Sequence, residues 1–313
     1  MTHVDIPFLR YLDEEGRPVA TLPTWLDKAI LHTFYRNMVM VRSYDKKAIA
    51  LQRTGKLGTF PSHLGAEAVG IGVGLAMRPE DVYVPYYRDM PTLYVRGVPM
   101  EQNLQYWGGD ERGSVFYKAD GELSEDLPIC VPIATQITHA AGIAAAFKLR
   151  NQPRVAVVTI GDGGTSKGDF LEGLNCAGVW HLPMVMIINN NQWAISVPRK
   201  LQSSAPTLAQ KGMGAGVRSI QVDGNDVVAV YDATRIAVER AQVEKDGGVE
   251  QRLRLRPAHP FEKLLPPSSE RANRASPLLG LPRGFVQETF ATSTQCDAQR
   301  GKCQSTNGQG FRC

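Results

Sequence analysis

Residues 155–193 read VAVVTIGDGGTSKGDFLEGLNCAGVWHLPMVMIINNNQW. The run from Val155 to Ile160 is continuous, apolar and largely β-branched, of strand length, and it stops at the turn Gly161-Asp162-Gly163-Gly164. A helix-like stretch follows, then a second apolar run from Met184 to Asn189. Strand, helix and strand in this order form a right-handed crossover. That makes the two strands parallel and places both C-terminal ends at one edge of a sheet. The expected fold class is α/β, a mostly parallel sheet flanked by helices.

At that edge Asp162 and Asn191 emerge together. Open α/β sheets bind ligands there, because helix N-termini and their free N–H groups point to it. An Asp, an Asn and glycine backbone suit a diphosphate bridged to a magnesium ion. Glycines allow close approach to phosphate oxygens, and carboxylate and amide oxygens are hard ligands. Gly-Asp-Gly alone is usually a tight turn, and the triplet Asn189-Asn190-Asn191 alone is usually a polar strand end. Their occurrence at matching strand ends, 29 residues apart, points to a site.

Outward from this unit, apolar positions recur every three or four residues from Thr24 to Arg53, as an amphipathic helix requires, and Gly55 ends it. Ala66–Met77, with Gly70, Gly72 and Gly74, reads as a small-residue helix, and a second of that kind runs from about Thr138 to Leu149. Missing side chains there let another backbone approach, either inside one subunit or across a subunit interface.

Of 313 residues 43% are hydrophobic and 21% charged, an ordinary globular composition that excludes disorder, collagen and coiled coil. No apolar run is long enough to cross a membrane, and the acidic N-terminal stretch, with Asp13, Glu14 and Glu15, does not resemble a secretion signal. Five cysteines without metal-ligand spacing suit a reducing compartment, so a cytoplasmic protein without a zinc site is expected.

Residues 247–313 contain 10 Lys and Arg against 5 Asp and Glu, leaving 25 basic and 26 acidic residues for the rest of the chain. A neutral body without a basic stripe argues against nucleic acid as a partner. The same 67 residues hold no Ile, Met, Tyr or Trp and two Val, Val249 and Val286. The expected organisation is a binding domain over residues 1–246 and a basic, Pro-containing, poorly ordered tail over 247–313, whose alternation in RLRLR ends at Pro257.

Gly-Asp-Gly, some thirty residues, then Asn-Asn resembles the thiamine diphosphate motif. The string from Gly161 to Ser196, continuing to VDGNDVVAVYDAT at 222–234, is similar to the alpha subunits of the thiamine diphosphate-dependent 2-oxo acid dehydrogenases. The likeness extends through RTGKLGTFPSHLGAEAVGIG at 53–72 and YRDMPTLYVRG at 87–97, and covers about residues 6–246.

The resemblance implies a thiamine diphosphate-binding fold and a set of site residues. Asp162, the Asn191 side chain and the Trp193 carbonyl match the family's Mg2+ ligands. Gly161, Gly163 and Gly164 match the turn whose backbone meets the diphosphate, and Tyr87 and Arg88 match its other contacts, Arg being able to fork two phosphate oxygens. Ile133, in PIATQI, matches the apolar residue that holds the cofactor bent. His63 matches a histidine that faces substrate in pyruvate-type members, although it lies nearer to the following Gly65-Ala66-Glu67-Ala68 than in the mammalian pattern. His139 and His181 are read as surface residues.

The resemblance further implies oxidative decarboxylation of a small 2-oxo acid. Pyruvate is expected and branched-chain 2-oxo acids are the alternative. The acyl group would pass to a lipoyl-bearing acyltransferase. The expected partner is a beta subunit in an α2β2 heterotetramer. Beyond residue 246 the family continues with an apolar strand and a His-containing loop, whereas this chain reads GGVEQRLRLRPAHPFEKLL. A frameshift would explain that change. The sheet is then expected to lack the strand after the Asp226–Ala241 helix, and a non-catalytic binding remnant becomes the second function class.

Overall fold

A computed structural model describes residues 6–243 and 252–254. All of these belong to one compact unit spanning residues 1–263.

Its centre is the unit read first. Strand β3 (Ala156–Gly161), helix α6 (Gly168–Val179) and strand β4 (Met184–Asn190) form a parallel crossover in which Gly161 is the register partner of Asn189. β2 (Val82–Val84) pairs with β3, and beyond β4 come β8 (Arg252–Arg254), β7 (Gln221–Asp223) and β1 (Phe8–Leu9). All five pairings are parallel, in the order β1-β7-β8-β4-β3-β2.

Both faces of the sheet are covered, which explains the continuous apolar strands. On one side α1 (Lys28–Arg53), α2 (Glu67–Ala76), α3 (Met90–Val95) and α8 (Val227–Val243) pack on Val157, Val185, Ile187 and Val222. On the other, α5 (Thr135–Leu149) and α6 cover Val158, Ile160, Met186 and Ile188. Helix α4 (Met100–Trp107) follows α3. A small antiparallel hairpin of β5 (Trp193–Ala194) and β6 (Val197–Pro198) and the short helix α7 (Gln210–Gly214) lie between β4 and β7.

Local chemistry sets the helix ends. The Asp27 side chain accepts a hydrogen bond from the Ile30 N–H at 2.8 Å, so α1 begins at Lys28 and not at Thr24. The Asp226 carboxylate accepts from Val228 and Ala229 at the start of α8 and, through its other oxygen, from the N–H groups of Tyr11 and Leu12.

Two expectations meet the packing directly. The glycine face of α2 is filled within this chain. A Cβ on Gly72 would stand 2.7 Å from Val230 of α8, and one on Gly74 would stand 2.3 Å from Val95 of α3. The second small-residue helix, α5, is matched by Gly173 of α6, whose Cβ would stand 2.7 Å from Ile137.

The expectation that the sheet lacks a strand after α8 is corrected. β8, Arg252–Arg254, occupies the position between β4 and β7 and pairs with both. Its composition is poor for a strand, but the slot between two parallel strands offers backbone partners on both sides, and buried N–H and C=O groups demand them. The rest of the expected tail, 255–313 with 247–251, lies outside the described residues.

Candidate active site

Asp162 follows β3 directly, and Asn191 follows β4 directly, so the two emerge from neighbouring strands just beyond the Gly161–Asn189 register pair. Asp162 is 3% exposed and opens a 3-10 turn, Asp162–Ser166, that leads into α6. The turn is closed by Thr165, whose hydroxyl donates to the Asp162 carbonyl at 2.7 Å.

The two glycines of this turn are sterically required. A Cβ on Gly163 would stand 2.5 Å from the Cβ of Ala194, and one on Gly164 would stand 2.5 Å from Ile160 Cδ1. The hairpin residues after β4 thus lie against the turn after β3.

The Asn191 carboxamide oxygen accepts a hydrogen bond from the Trp193 N–H at 2.9 Å. That bond spans Gln192, which takes positive φ, +71°, and Ile195, in the turn between β5 and β6, takes φ +56°. Non-glycine residues in this region carry strain, which tends to collect at functional sites. Ala134, with φ +72°, is a third such residue, and it sits next to Ile133. Ile133 itself is 40% exposed, and its Cγ2 lies 3.2 Å from the Cβ position of Gly164. It borders the turn as an open apolar surface and is not part of the core.

Tyr87 and Arg88 come from the segment after β2, the next strand along. Arg88 donates to the Ser62 carbonyl, and its guanidinium stands 5.4 Å from the centre of the Tyr87 ring. Both side chains are half-buried. The structure therefore gathers the Gly161–Gly164 turn, Ile133, Asn191 and Trp193 around the C-terminal ends of β3 and β4, with Tyr87 and Arg88 at the end of β2.

His63 is 1% exposed, its Nε2 lies 3.0 Å from the Val41 carbonyl, and its Nδ1 lies 3.2 Å from Asp45 Oδ1. Burial pushes its imidazole below the usual value, against the pull of Asp45. The ring is held within this chain between Val41 and Asp45. Its surroundings connect it to the site by another route. Asp45 also accepts from the Ser62 hydroxyl, and Ser62 in turn receives Arg88. His139 and His181 are exposed, as expected.

Sequence reading passed over a buried polar network beneath the rim. Asp89 accepts from the Tyr86 N–H at 2.8 Å and from the Thr159 hydroxyl, and Thr159 meets the Tyr83 hydroxyl at 2.9 Å. Asn189 donates to the Tyr86 hydroxyl at 3.0 Å. Burial pushes the Asp89 carboxyl up to about 7 despite these donors. Asp89 adjoins Arg88 in the sequence, but nothing local marked Thr159, Asn189 and Asp89 as neighbours.

Among the described residues no cluster of three or more His, Cys, Asp or Glu could hold a metal ion. One carboxylate with amide and carbonyl oxygens is instead the donor set expected where Mg2+ is shared with phosphate oxygens. No helix of the described residues is long and apolar enough to cross a membrane.

The family described as Dehydrogenase E1 component matches residues 35–249. Curated relatives of this chain carry the name pyruvate dehydrogenase E1 component subunit alpha. The one from Acholeplasma laidlawii is 43% identical over 231 residues, 74% of this chain and 66% of the relative. That from Mycoplasma genitalium is 40% identical over 219 residues, 70% of this chain and 60% of the relative. That from Bacillus cereus is 40% identical over 238 residues, 74% of this chain and 62% of the relative. This chain therefore matches less than two thirds of the length of each.

Proposed function

The chain belongs to the dehydrogenase E1 component family, and from that premise we propose that it is the alpha subunit of a pyruvate dehydrogenase first component. The reaction is thiamine diphosphate-dependent oxidative decarboxylation of pyruvate, with transfer of the acyl group to a lipoyl group on a separate acyltransferase component. The observation that carries this reading is the rim at β3 and β4, where Asp162, the Gly163-Gly164 backbone and Asn191 converge. The names of the relatives favour pyruvate over branched-chain 2-oxo acids.

The residues present fit the cofactor. Gly163 and Gly164 lie so close to Ala194 and Ile160 that neither could carry a side chain, which keeps the backbone of the turn bare, and among the described residues the buried Asn189 amide oxygen has no hydrogen-bond partner. When bound, thiamine diphosphate supplies an electron sink for the carbon–carbon bond that breaks. Asp162, the Asn191 side chain and the Trp193 carbonyl would hold Mg2+. The Gly163 and Gly164 N–H groups would donate to the diphosphate, with Arg88 and Tyr87 at its other end. Ile133 offers an exposed apolar surface beside the turn that would back the cofactor and help to exclude water.

The site lies open along exposed Ile133 and Trp193, which suits completion by a beta subunit in an α2β2 heterotetramer. The free thiols of Cys130 and Cys176 and the bacterial relatives support a cytoplasmic protein.

The test is coexpression with a beta subunit, followed by decarboxylation of pyruvate and of branched-chain 2-oxo acids with an artificial electron acceptor. Turnover of pyruvate that requires Mg2+ and thiamine diphosphate is expected. Cofactor binding without turnover of any 2-oxo acid would select the non-catalytic binding remnant instead.

A further inference from the structure

The turn that carries Asp162, Gly163 and Gly164 is gripped from outside by a lysine 46 residues further along the chain. Lys211 Nζ donates to the Thr165 carbonyl at 2.6 Å and lies 3.1 Å from the Thr165 hydroxyl. That same hydroxyl donates to the Asp162 carbonyl. Thr165 is buried, and the lysine ammonium stands 5.7 Å from the centre of the Phe170 ring of α6. The grip is anchored at its far end, because Leu208 and Ala209, just before α7, are buried, Leu208 in the cluster that also contains Phe170 and Leu174.

A lysine carries three donors and no acceptor, and a half-buried ammonium normally pairs with a carboxylate. Among the described residues none pairs with Lys211, and burial together with nearby Arg199 lowers its pKa. Its partners are instead the carbonyl and hydroxyl of one residue, placed where the 3-10 turn passes into α6. That carbonyl lies at the point where the chain changes helix type, where backbone acceptors call for partners from outside the helix.

We propose that Lys211 is a positioning residue of the cofactor site, locking the turn Asp162–Ser166 so that Asp162 and the Gly163 and Gly164 N–H groups keep one arrangement toward the diphosphate and its metal. The proposal rests on the reading of this rim as the thiamine diphosphate site. Lys211 acts through Thr165 and makes no claim on the reacting atoms.

The test compares the wild-type chain with Lys211→Met, Lys211→Arg and a distant control, Lys28→Met, each coexpressed with a beta subunit. Hydrogen exchange of the amides of residues 163–166 is followed without cofactor, and Mg2+–thiamine diphosphate is titrated calorimetrically. Lys211→Met is expected to speed exchange at these amides and weaken cofactor binding about tenfold, while kcat at saturating cofactor changes little. Lys211→Arg restores most of both, because it keeps a cation and donors at the turn. Lys28→Met matches wild type. Unchanged exchange and affinity in Lys211→Met, with the wild type binding normally, would overturn the proposal alone. A wild type that binds no thiamine diphosphate would overturn the reading of the rim, and this proposal with it.

Discussion

Gly161 of β3 and Asn189 of β4 are register partners in a parallel ladder. The register decides the site, since a shift of one strand by a residue or two would carry Asn191 away from Asp162. The Asp162 carboxylate is buried at the strand end and takes no part in either apolar cluster. Asp162→Ala is therefore expected to weaken Mg2+-dependent thiamine diphosphate binding by at least about tenfold, or 1.4 kcal/mol, without lowering the thermal midpoint of the cofactor-free chain. Calorimetry with unchanged affinity would remove Asp162 from the site.

Asp89 makes stability depend on pH. Its carboxyl is raised from 3.8 to about 7 in the folded chain, chiefly by burial. A raised carboxylate binds its proton more tightly when folded, so the stabilisation is complete below the unfolded value and is lost as pH rises through about 7. Asp89→Asn keeps an acceptor for the Tyr86 N–H but does not titrate. Relative to this variant, the wild-type chain should lose a few kcal/mol, on the order of 4, between pH 4 and 8. Parallel thermal midpoints for the two proteins across that range would show that folding does not raise the Asp89 carboxyl.

Asp226 joins two segments that are far apart in the chain. One oxygen serves the N-terminus of α8 and the other accepts from Tyr11 at 2.6 Å and Leu12 at 2.8 Å. Asp226→Ala removes a helix cap and leaves backbone donors unpaired, at a cost of roughly 3–5 kcal/mol. Denaturant unfolding measures this, and the amides of Tyr11 and Leu12 should lose protection from exchange. Protection that survives the substitution would mean that other contacts hold the N-terminal segment.

The strand β8 can be tested with proline. Leu253 pairs with Asn189 on one side and Val222 on the other. Proline cannot donate to a ladder and is excluded from central strands. Leu253→Pro should therefore lower stability by at least about 3 kcal/mol and reduce soluble yield. A variant as stable as wild type would show that the slot between β4 and β7 does not need this strand.

Several features were legible because they are local. The crossover from β3 to β4 announces itself in two apolar runs with a glycine turn between them. The spacing of Phe34, Met38, Val41, Tyr44 and Ala48, all buried, marks the inner face of α1. The departures have physical reasons. α1 starts later than its apolar period suggests because Asp27 caps it. The glycines of α2 could not reveal which surface they meet, and it is α3 and α8 of the same chain. His63 was matched to a substrate-facing histidine by resemblance alone, and nothing local showed that Val41 and Asp45, one helical turn apart on α1, lie against its ring nitrogens. β8 was missed because three residues of weak propensity become a strand when two strands already flank them.

By itself the sequence determined the α/β class, the parallel crossover and the clustering of Asp162, the glycine turn and Asn191, since these follow from short-range period, turn chemistry and the handedness of the crossover. The tertiary structure alone decided which groups are withdrawn from solvent and what holds the turn. Burial of His63 and Asp89, the insertion of β8 and the reach of Lys211 to Thr165 depend on elements distant in sequence packing together. Desolvation and hydrogen-bond geometry act through space, and a linear pattern carries no record of either.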